Sequence, residues 1–216
     1  MPAPAAVPRE ATIAVIGAGT MGCGIAQIAA QAGHPVRLFD TRLGAAEKAR
    51  GGIAQTLSGL AAKGKLDSAA AEAASRRIVA VHALGDCVSA RLVVEAIVED
   101  LTEKRTLLRE LEKIVTASAI LASNTSALSI TALAAGLRFP GRVVGMHFFN
   151  PVPLMQLVEI VSGLSTDEAV ADTVAATATA WGKQPVRATS TPGFIVNRCA
   201  RPFYGESLRL LSERAA

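Results

Sequence analysis

The sequence lacks the features of a secreted, membrane-spanning or metal-binding protein. Its 216 residues include three cysteines, Cys23, Cys87 and Cys199, which are scattered and have no metal-ligand spacing. We therefore expect reduced thiols, a cytoplasmic location and no bound metal. No stretch approaches the roughly 20 apolar residues of a transmembrane helix, so no membrane association is expected. Residues 1–8 have no basic or apolar region typical of a secretory signal, and three prolines there favour a disordered leader over residues 1–10.

Charge of one sign is not concentrated anywhere in the sequence. The formal net charge is +4, and no run of like charge is longer than the pair Arg76-Arg77. This distribution argues against a nucleic-acid partner, which would require a basic patch or stripe. Small anionic ligands remain compatible with it, because a few well-placed cations would bind them.

The order of apolar segments predicts the fold class. Short β-branched runs alternate with longer alanine-rich segments of helical period, which is typical of an α/β fold. We expect a Rossmann-like, doubly wound and mainly parallel sheet. The predicted strands are 12–16, 36–40, 78–81, 92–96, 120–123, 143–147, 157–161 and 186–188. The predicted helices are 21–32, 44–63, 68–75, 101–116, 130–135, 167–181 and about 194–214.

The sequence also predicts a domain boundary. Pro192 and Gly193 interrupt the pattern just before the last helix. Residues 11–191 would form the dinucleotide-binding domain, with a helical hairpin over 44–75. Residues 192–216 would be the first helix of a truncated all-α C-terminal domain. Apolar residues of that helix need a packing partner, so we expect self-association of the chain. These residues are Phe194, Ile195, Cys199, Phe203, Leu208 and Leu211.

A glycine motif follows the first predicted strand. Gly17, Gly19 and Gly22 form G-x-G-x-x-G, with Thr20 and Met21 between the last two glycines at the start of a helix. The first glycine permits a tight turn, the second permits close approach of a pyrophosphate, and the third permits close helix–strand packing. Free N–H groups at the helix N-terminus favour phosphate. The motif therefore predicts a dinucleotide site.

The acid at the end of the second strand indicates which dinucleotide binds. A carboxylate at Asp40 would accept hydrogen bonds from the ribose hydroxyls and would repel a 2′-phosphate. NAD is therefore predicted. Arg42 keeps NADP as an alternative, because an arginine beside the ribose is able to bind the additional phosphate.

A histidine and a glutamate on neighbouring predicted strands form a candidate catalytic pair. His147 lies at the carboxyl end of its strand, next to the cofactor crevice. Glu159 lies within an apolar strand, where an unpaired carboxylate would be costly. We interpret His147 as a general base that Glu159 orients.

Five ordered motifs make the chain similar to the L-3-hydroxyacyl-CoA dehydrogenase family. They are GAGTMGCGIAQ (17–27), VVEAIVED (93–100), SNTS (123–126), HFFNP (147–151) and PGFIVNR (192–198). The resemblance implies NAD-dependent, reversible oxidation of an L-3-hydroxyacyl-CoA, with His147 and Glu159 as base and orienting acid.

The same resemblance implies roles for further residues. Ser126 and Asn197 would hold the substrate near its reacting oxygen, although Ser126 has the alternative role of capping the next helix, for which Ser129 is a rival. Asn150 would position the nicotinamide end. Glu99 and Lys104 would contact the ribose side of the cofactor, and Thr56 and Lys63 in the hairpin would lie near the CoA phosphates.

Alternatives remain open at the level of substrate and activity. A dehydrogenase of free 3-hydroxy acids and a non-catalytic, crystallin-like NAD-binding relative are both compatible with this fold. The segment CARPFYGES (199–207) is similar to longer bacterial enzymes of phenylacetate or aromatic-acid breakdown, which implies a 3-hydroxyadipyl-type CoA ester. The alternative is a 3-hydroxybutyryl-CoA substrate. The resemblance also implies a homodimer for the full-length form, and the shorter chain is expected to bind NAD but to turn over poorly.

Overall fold

The computed structural model describes residues 5–215 and contains one eight-stranded sheet with helices on both faces. The strand order is β3-β2-β1-β4-β5-β6-β7-β8. All neighbouring pairs are parallel except β6 and β7. The predicted Rossmann-like, mainly parallel fold is therefore confirmed. The strands are β1 (Thr12–Ile16), β2 (Val36–Phe39), β3 (Ile78–Val81), β4 (Ala90–Glu95), β5 (Ile120–Ser123), β6 (Val143–Phe148), β7 (Leu157–Ser162) and β8 (Gln184–Thr189).

Seven α-helices connect or follow these strands within the described residues. Three of them begin at a side chain that accepts hydrogen bonds from the first turn: Asp67 for α3, Asp100 for α4 and Ser129 for α5. Helix α1 begins at Gly19 without such a side chain. The helices are α1 (Thr20–Gln31), α2 (Ala45–Ala62), α3 (Ser68–Arg77), α4 (Leu101–Ile114), α5 (Ile130–Ala134), α6 (Glu168–Ala180) and α7 (Val196–Ser212).

The sheet separates two apolar cores. In β1, Ile13 and Val15 pack into one cluster, whereas Ala14 and Ile16 pack into the other. Successive residues of a strand point to opposite faces, so a strand covered on both faces has to be apolar throughout. This requirement explains the continuous apolar runs from which the strands were predicted.

The strand order places the functional edge of the sheet. β1 is paired with β2 on one side and with β4 on the other. The chain therefore leaves β1 and β4 in opposite directions, which opens a crevice at their carboxyl ends. The Gly17 turn lies at this crevice, because it directly follows β1. No helix within residues 5–215 has the length and apolar character needed to cross a membrane.

The N-terminal segment corrects one prediction. Residues 1–4 lie outside the described residues, but residues 5–10 are not a disordered leader. The Val7 side chain is buried, and the Val7 N–H donates to Thr177 Oγ1 at 2.9 Å. Arg9 Nε donates to the carbonyl of Ala32 at 2.9 Å. The prolines suggested disorder, but an apolar side chain and two hydrogen bonds fix this segment against α1 and α6.

The last helix has an exposed apolar face. Phe203, Leu208 and Leu211 are each about two-thirds or more exposed, and no described residue of α7 is buried. Phe194, which precedes the helix, is buried against the sheet. The structure thus attaches the start of this segment to the sheet and leaves the helix itself in solvent.

A buried lysine holds the loop between β6 and β7. Lys183 lies just before β8, is 7% exposed, and donates from Nζ to the carbonyls of Val152 at 2.5 Å and Met155 at 2.8 Å. Burial lowers its pKa below the ordinary value of a lysine. The same loop includes Asn150, so Lys183 fixes the backbone beside the candidate catalytic histidine.

We predict that Lys183→Met destabilises the protein by about 1–3 kcal/mol, because the buried carbonyl of Val152 and the partly buried carbonyl of Met155 lose a charged donor. Removal of a desolvated charge opposes this loss, but methionine offers no replacement donor. Urea unfolding measures the change, with Lys65→Met as an exposed control on the α2–α3 turn. An equal stability of the two variants would show that the loop does not depend on Lys183.

Candidate active site

His147 and Glu159 lie opposite each other on antiparallel strands. The register of β6 and β7 pairs the two residues directly. His147 Nδ1 is 2.6 Å from Glu159 Oε2, and both side chains are buried. This geometry agrees with the sequence prediction that the two residues form a pair. It arises because the register of β6 and β7 places His147 opposite Glu159.

Glu159 also fixes the start of α7. Its second oxygen, Oε1, accepts the N–H groups of Ile195 and Val196, each at 2.9 Å. In the neutral tautomer whose Nδ1 carries the proton and donates it to Glu159 Oε2, the other ring nitrogen, Nε2, has a free lone pair. The N–H groups and partial positive charge at the helix N-terminus stabilise the buried carboxylate.

Two aromatic rings enclose the imidazole. The ring centroids of His147 and Phe149 are 4.5 Å apart, and those of His147 and Phe194 are 5.8 Å apart. These contacts and the Glu159 hydrogen bond together fix the orientation of the ring. A fixed ring orientation is what a group needs to exchange a proton with a substrate atom at one defined position.

A hydrogen bond between the Asn197 side chain and the Ser126 backbone brings these two residues together. Asn197 Nδ2 donates to the carbonyl of Ser126 at 3.0 Å. Asn197 directly follows Val196, which binds Glu159, so the first turn of α7 connects the histidine pair with Ser126. Ser129, rather than Ser126, caps α5, which leaves the Ser126 side chain available for another role.

Glu99 holds the loop that contains Ser126. Its Oε1 accepts hydrogen bonds from Thr125 Oγ1 at 2.6 Å, Ser126 N at 2.8 Å and Ser126 Oγ at 3.2 Å. Burial raises the pKa of Glu99, but these hydrogen bonds and the nearby Lys104 ammonium lower it by more, so the net shift is downward. Glu99 is thus an ionised acceptor beside the predicted substrate serine.

The structure places Lys104 between two carboxylates. Its side chain is 1% exposed, and its Nζ lies 2.5 Å from Glu95 Oε1 and 3.3 Å from Glu99 Oε2. Glu95 Oε2 also accepts a hydrogen bond from Ser123 at 2.6 Å. Lys104 is thus connected through Glu99 to the loop that contains Ser126.

Sequence reasoning gave no role to Glu95, although the signal was present. Glu95 is fully buried at the end of β4, within an apolar run similar to the run around Glu159. The same argument, that a carboxylate in an apolar strand requires a partner, applies to both residues. Asn124 was also missed. Its Oδ1 accepts the Phe148 N–H at 2.9 Å and joins β5 to the end of β6.

A cleft of about 610 Å³ lies at the crevice between β1 and β4. It is lined by Gly17, Gly19, Thr20, Met21 and Asp40 of the sequence prediction. Apolar side chains also line the cleft, among them Phe39, Leu84, Ile97 and Leu107.

The glycines of this cleft fit a dinucleotide. A Cβ on Gly22 would lie 1.8 Å from the Gly17 oxygen, and a Cβ on Gly17 would lie 2.5 Å from the Ala96 oxygen. Gly19 is different, because a Cβ there would meet no atom within 4 Å. The space above Gly19 and the uncapped start of α1 provide the concave, N–H-lined surface that a pyrophosphate requires.

Asp40 is engaged by the glycine turn and by Arg42. Its Oδ2 accepts the Ala18 N–H at 2.8 Å, and its Oδ1 accepts Arg42 Nε at 3.0 Å. Hydrogen bonds from the Arg42 side chain, opposed by burial and assisted by the two backbone N–H groups, lower the pKa of Asp40 to about 2. Asp40 is therefore ionised, as a ribose-binding carboxylate should be.

A second groove, of about 660 Å³, lies between α1 and α2. Thr56 lines it, together with Arg42, Lys48 and Pro153. Lys63 does not line this groove and lies exposed at the end of α2. Lys48 was missed by the sequence analysis, because a helical lysine has no local signal that separates a groove-facing position from a solvated one.

Comparison with known proteins identifies similar families and structures. The sequence model of a family described as "3-hydroxyacyl-CoA dehydrogenase, NAD binding domain" matches residues 12–191. The 3-hydroxyadipyl-CoA dehydrogenase of Escherichia coli is 46% identical over 95% of this chain and 43% of its own length. The probable 3-hydroxybutyryl-CoA dehydrogenase of Deinococcus radiodurans is 44% identical over 94% of this chain and 72% of its own length.

Solved structures give the same result. The crystal structure of 3-hydroxybutyryl-CoA dehydrogenase from Escherichia coli superimposes with a TM-score of 0.94 at 46% identity. The match covers 96% of this chain and 44% of that one. This chain thus spans less than half the length of the curated E. coli relative and of the chain in the E. coli crystal structure.

We predict that Gly22→Ala and Gly19→Ala separate folding from cofactor binding. Gly22→Ala forces a Cβ into the Gly17 backbone and should destabilise the protein by at least about 1–3 kcal/mol. Gly19→Ala places a methyl group in open space, so the free energy of unfolding should change by less than about 0.5 kcal/mol. The affinity for NAD should nevertheless fall about tenfold or more, because the methyl group occupies the pyrophosphate position. Calorimetric titration and urea unfolding measure the two quantities, and unchanged NAD binding by Gly19→Ala would contradict the assignment of this cleft.

Proposed function

Because this chain belongs to the 3-hydroxyacyl-CoA dehydrogenase family and contains its NAD-binding domain, we propose that it catalyses the reversible, NAD-dependent oxidation of an L-3-hydroxyacyl-CoA to the 3-ketoacyl-CoA. The family resemblance inferred from the sequence is thereby confirmed. The observation that supports the reaction most directly is the buried His147–Glu159 pair at the carboxyl end of β6, beside the cofactor edge of the sheet.

His147 is proposed to transfer the proton. In the oxidative direction, its Nε2 takes the proton of the C3 hydroxyl, and the charge that develops on the imidazole is stabilised by Glu159. When bound, NAD supplies the hydride acceptor at nicotinamide C4. In the reverse direction, the imidazolium returns its proton to the oxygen at C3. The Ile195 and Val196 N–H groups keep Glu159 in place throughout.

Ser126 and Asn197 are proposed to position the substrate. Asn197 lies in the first turn of α7, next to Val196, whose N–H donates to Glu159, and its Nδ2 donates to the Ser126 carbonyl. Asn150 is exposed three residues beyond His147, where it is suited to position the nicotinamide end. Glu99 is proposed to face the ribose next to the nicotinamide.

A CoA thioester is the proposed substrate because the groove beside the cofactor cleft is positively charged. Arg42 and Lys48 line it, and no acidic residue does so within the described chain. Thr56 lies in the same groove, and Lys63 lies farther along α2, where only the outer part of a long ligand would reach it. A free 3-hydroxy acid has no phosphate groups for these cations to bind. Both 3-hydroxyadipyl and 3-hydroxybutyryl groups are compatible acyl chains, since the relatives include dehydrogenases of each kind.

We expect oxidation of NADH with acetoacetyl-CoA and none with free acetoacetate at the same concentration. The CoA portion contributes binding energy that positions the reacting carbonyl, and the free acid lacks it. A spectrophotometric assay at 340 nm, with 3-ketoadipyl-CoA as a second ester, measures the rates. Turnover of acetoacetate alone would overturn the CoA assignment, whereas the ratio of the two esters identifies the acyl group.

His147→Gln should lower the rate with acetoacetyl-CoA by about 10²- to 10⁴-fold, the usual contribution of a positioned acid–base group. The Kd for NADH should not change, because His147 does not line the cleft between β1 and β4. His82→Gln provides the control, since His82 is exposed and its Nδ1 lies 3.1 Å from Glu47, far from β6. If His147→Gln and the control had equal rates, the proposed base would be wrong.

A further inference from the structure

The acceptor positions of Asp40 are fully occupied in this structure. Oδ1 accepts the Arg42 N–H at 2.9 Å and Arg42 Nε at 3.0 Å. Oδ2 accepts the Ala18 N–H at 2.8 Å and Arg42 Nη2 at 3.2 Å. A carboxylate offers about four lone-pair directions, so no direction remains for a further donor. Any ribose hydroxyl that binds Asp40 has to displace one of these four donors.

The displaced donors are those of the guanidinium. The two backbone N–H groups are fixed by the glycine turn and by the turn after β2. The Arg42 side chain is 72% exposed, so apart from its contacts with Asp40 it mostly faces solvent. The Asp40 side chain, by contrast, is only 8% exposed and stays in place. The guanidinium is therefore the donor group that is able to move into solvent when ribose hydroxyls approach Asp40.

The released guanidinium has a defined place to go. Arg42 lines both the cofactor cleft and the groove between α1 and α2, which makes it the boundary between them. On the groove side it is accompanied by Lys48 and by the start of α2 at Ala45, and none of the groove-lining residues is acidic. Two cations and a helix N-terminus at one end of a groove favour phosphate groups.

We propose that Arg42 couples the two sites: Asp40 exchanges the Arg42 guanidinium for the ribose hydroxyls of the dinucleotide, and the released guanidinium joins Lys48 to bind the phosphate groups of the CoA ester. This inference rests on the proposed function, because it requires a phosphate-bearing substrate in the groove. It extends that function by stating that cofactor and substrate bind cooperatively and by naming the residue responsible.

The coupling has a thermodynamic consequence. If NAD strengthens the binding of CoA, CoA strengthens the binding of NAD by the same factor. We expect a factor of about 10, within the usual 5- to 150-fold range of coupling between sites. Before CoA is present, the pair between Arg42 and Asp40 competes with the ribose. Removal of the guanidinium should therefore abolish the coupling without weakening the binding of NAD.

The test is calorimetric titration of CoA into the protein, with and without saturating NAD, for wild type, Arg42→Met and Arg50→Met. Arg50 is an exposed arginine on α2 that lines neither cleft, so it controls for the loss of one positive charge. Wild type and Arg50→Met should bind CoA about tenfold more tightly when NAD is present. Arg42→Met should show a ratio near 1, and it should bind NAD at least as tightly as wild type.

Two results would overturn the proposal. The first is an Arg42→Met variant in which NAD strengthens CoA binding as much as in wild type, or which binds NAD more weakly than wild type does. The second is a loss of NADP binding in Arg42→Met with the CoA ratio intact, which would make Arg42 a ligand of a 2′-phosphate. Turnover of acetoacetyl-CoA by the wild type, measured separately, distinguishes a failure of the coupling from a failure of the proposed function.

Discussion

A carboxylate inside a sheet has to be compensated by donors on every side, and Glu159 meets this requirement with three. One donor is the imidazole of His147, and two are backbone N–H groups at the start of α7. Because these donors come from different parts of the chain, the same charge orients the His147 imidazole and fixes the segment that bears Asn197. Neither contact is free to change without leaving a buried charge unpaired, and such a change is costly.

A second buried carboxylate, Glu95, is compensated in the same way below the loop that contains Ser126. Glu95 and Lys104 are both enclosed, and their pairing is satisfied further by Ser123 and Glu99. Glu99 is then held by its own partners at the edge of the site, where Ser126 donates to it. Two buried acids thus determine the positions of residues that are themselves accessible, which is how a rigid scaffold supports adaptable contacts.

The sequence was sufficient for features that depend on local pattern. Apolar runs located the strands, the glycine motif located the cleft, and the buried setting of Glu159 indicated a partner. Other features depend on which strands become neighbours. Glu95 contacts Ser123 only because β4 pairs with β5, and Lys104 is buried only because α4 packs above them. The burial of Val7 likewise depends on residues that are distant in the sequence, such as Thr177. No local signal encodes such neighbours, so these features required the structure.

Asp40 shows how one residue resolves an ambiguity that the sequence left open. Arg42 had kept NADP as an alternative, because a cation near the ribose is able to bind a 2′-phosphate. In the structure that cation is held by the same carboxylate that would repel the phosphate. The hydrogen bonds from Arg42 lower the pKa of Asp40 to about 2, so Asp40 is charged at neutral pH. A 2′-phosphate would have to approach this anion, whereas ribose hydroxyls replace one set of donors with another. The geometry favours NAD for this reason, and it makes Arg42 available to a different phosphate.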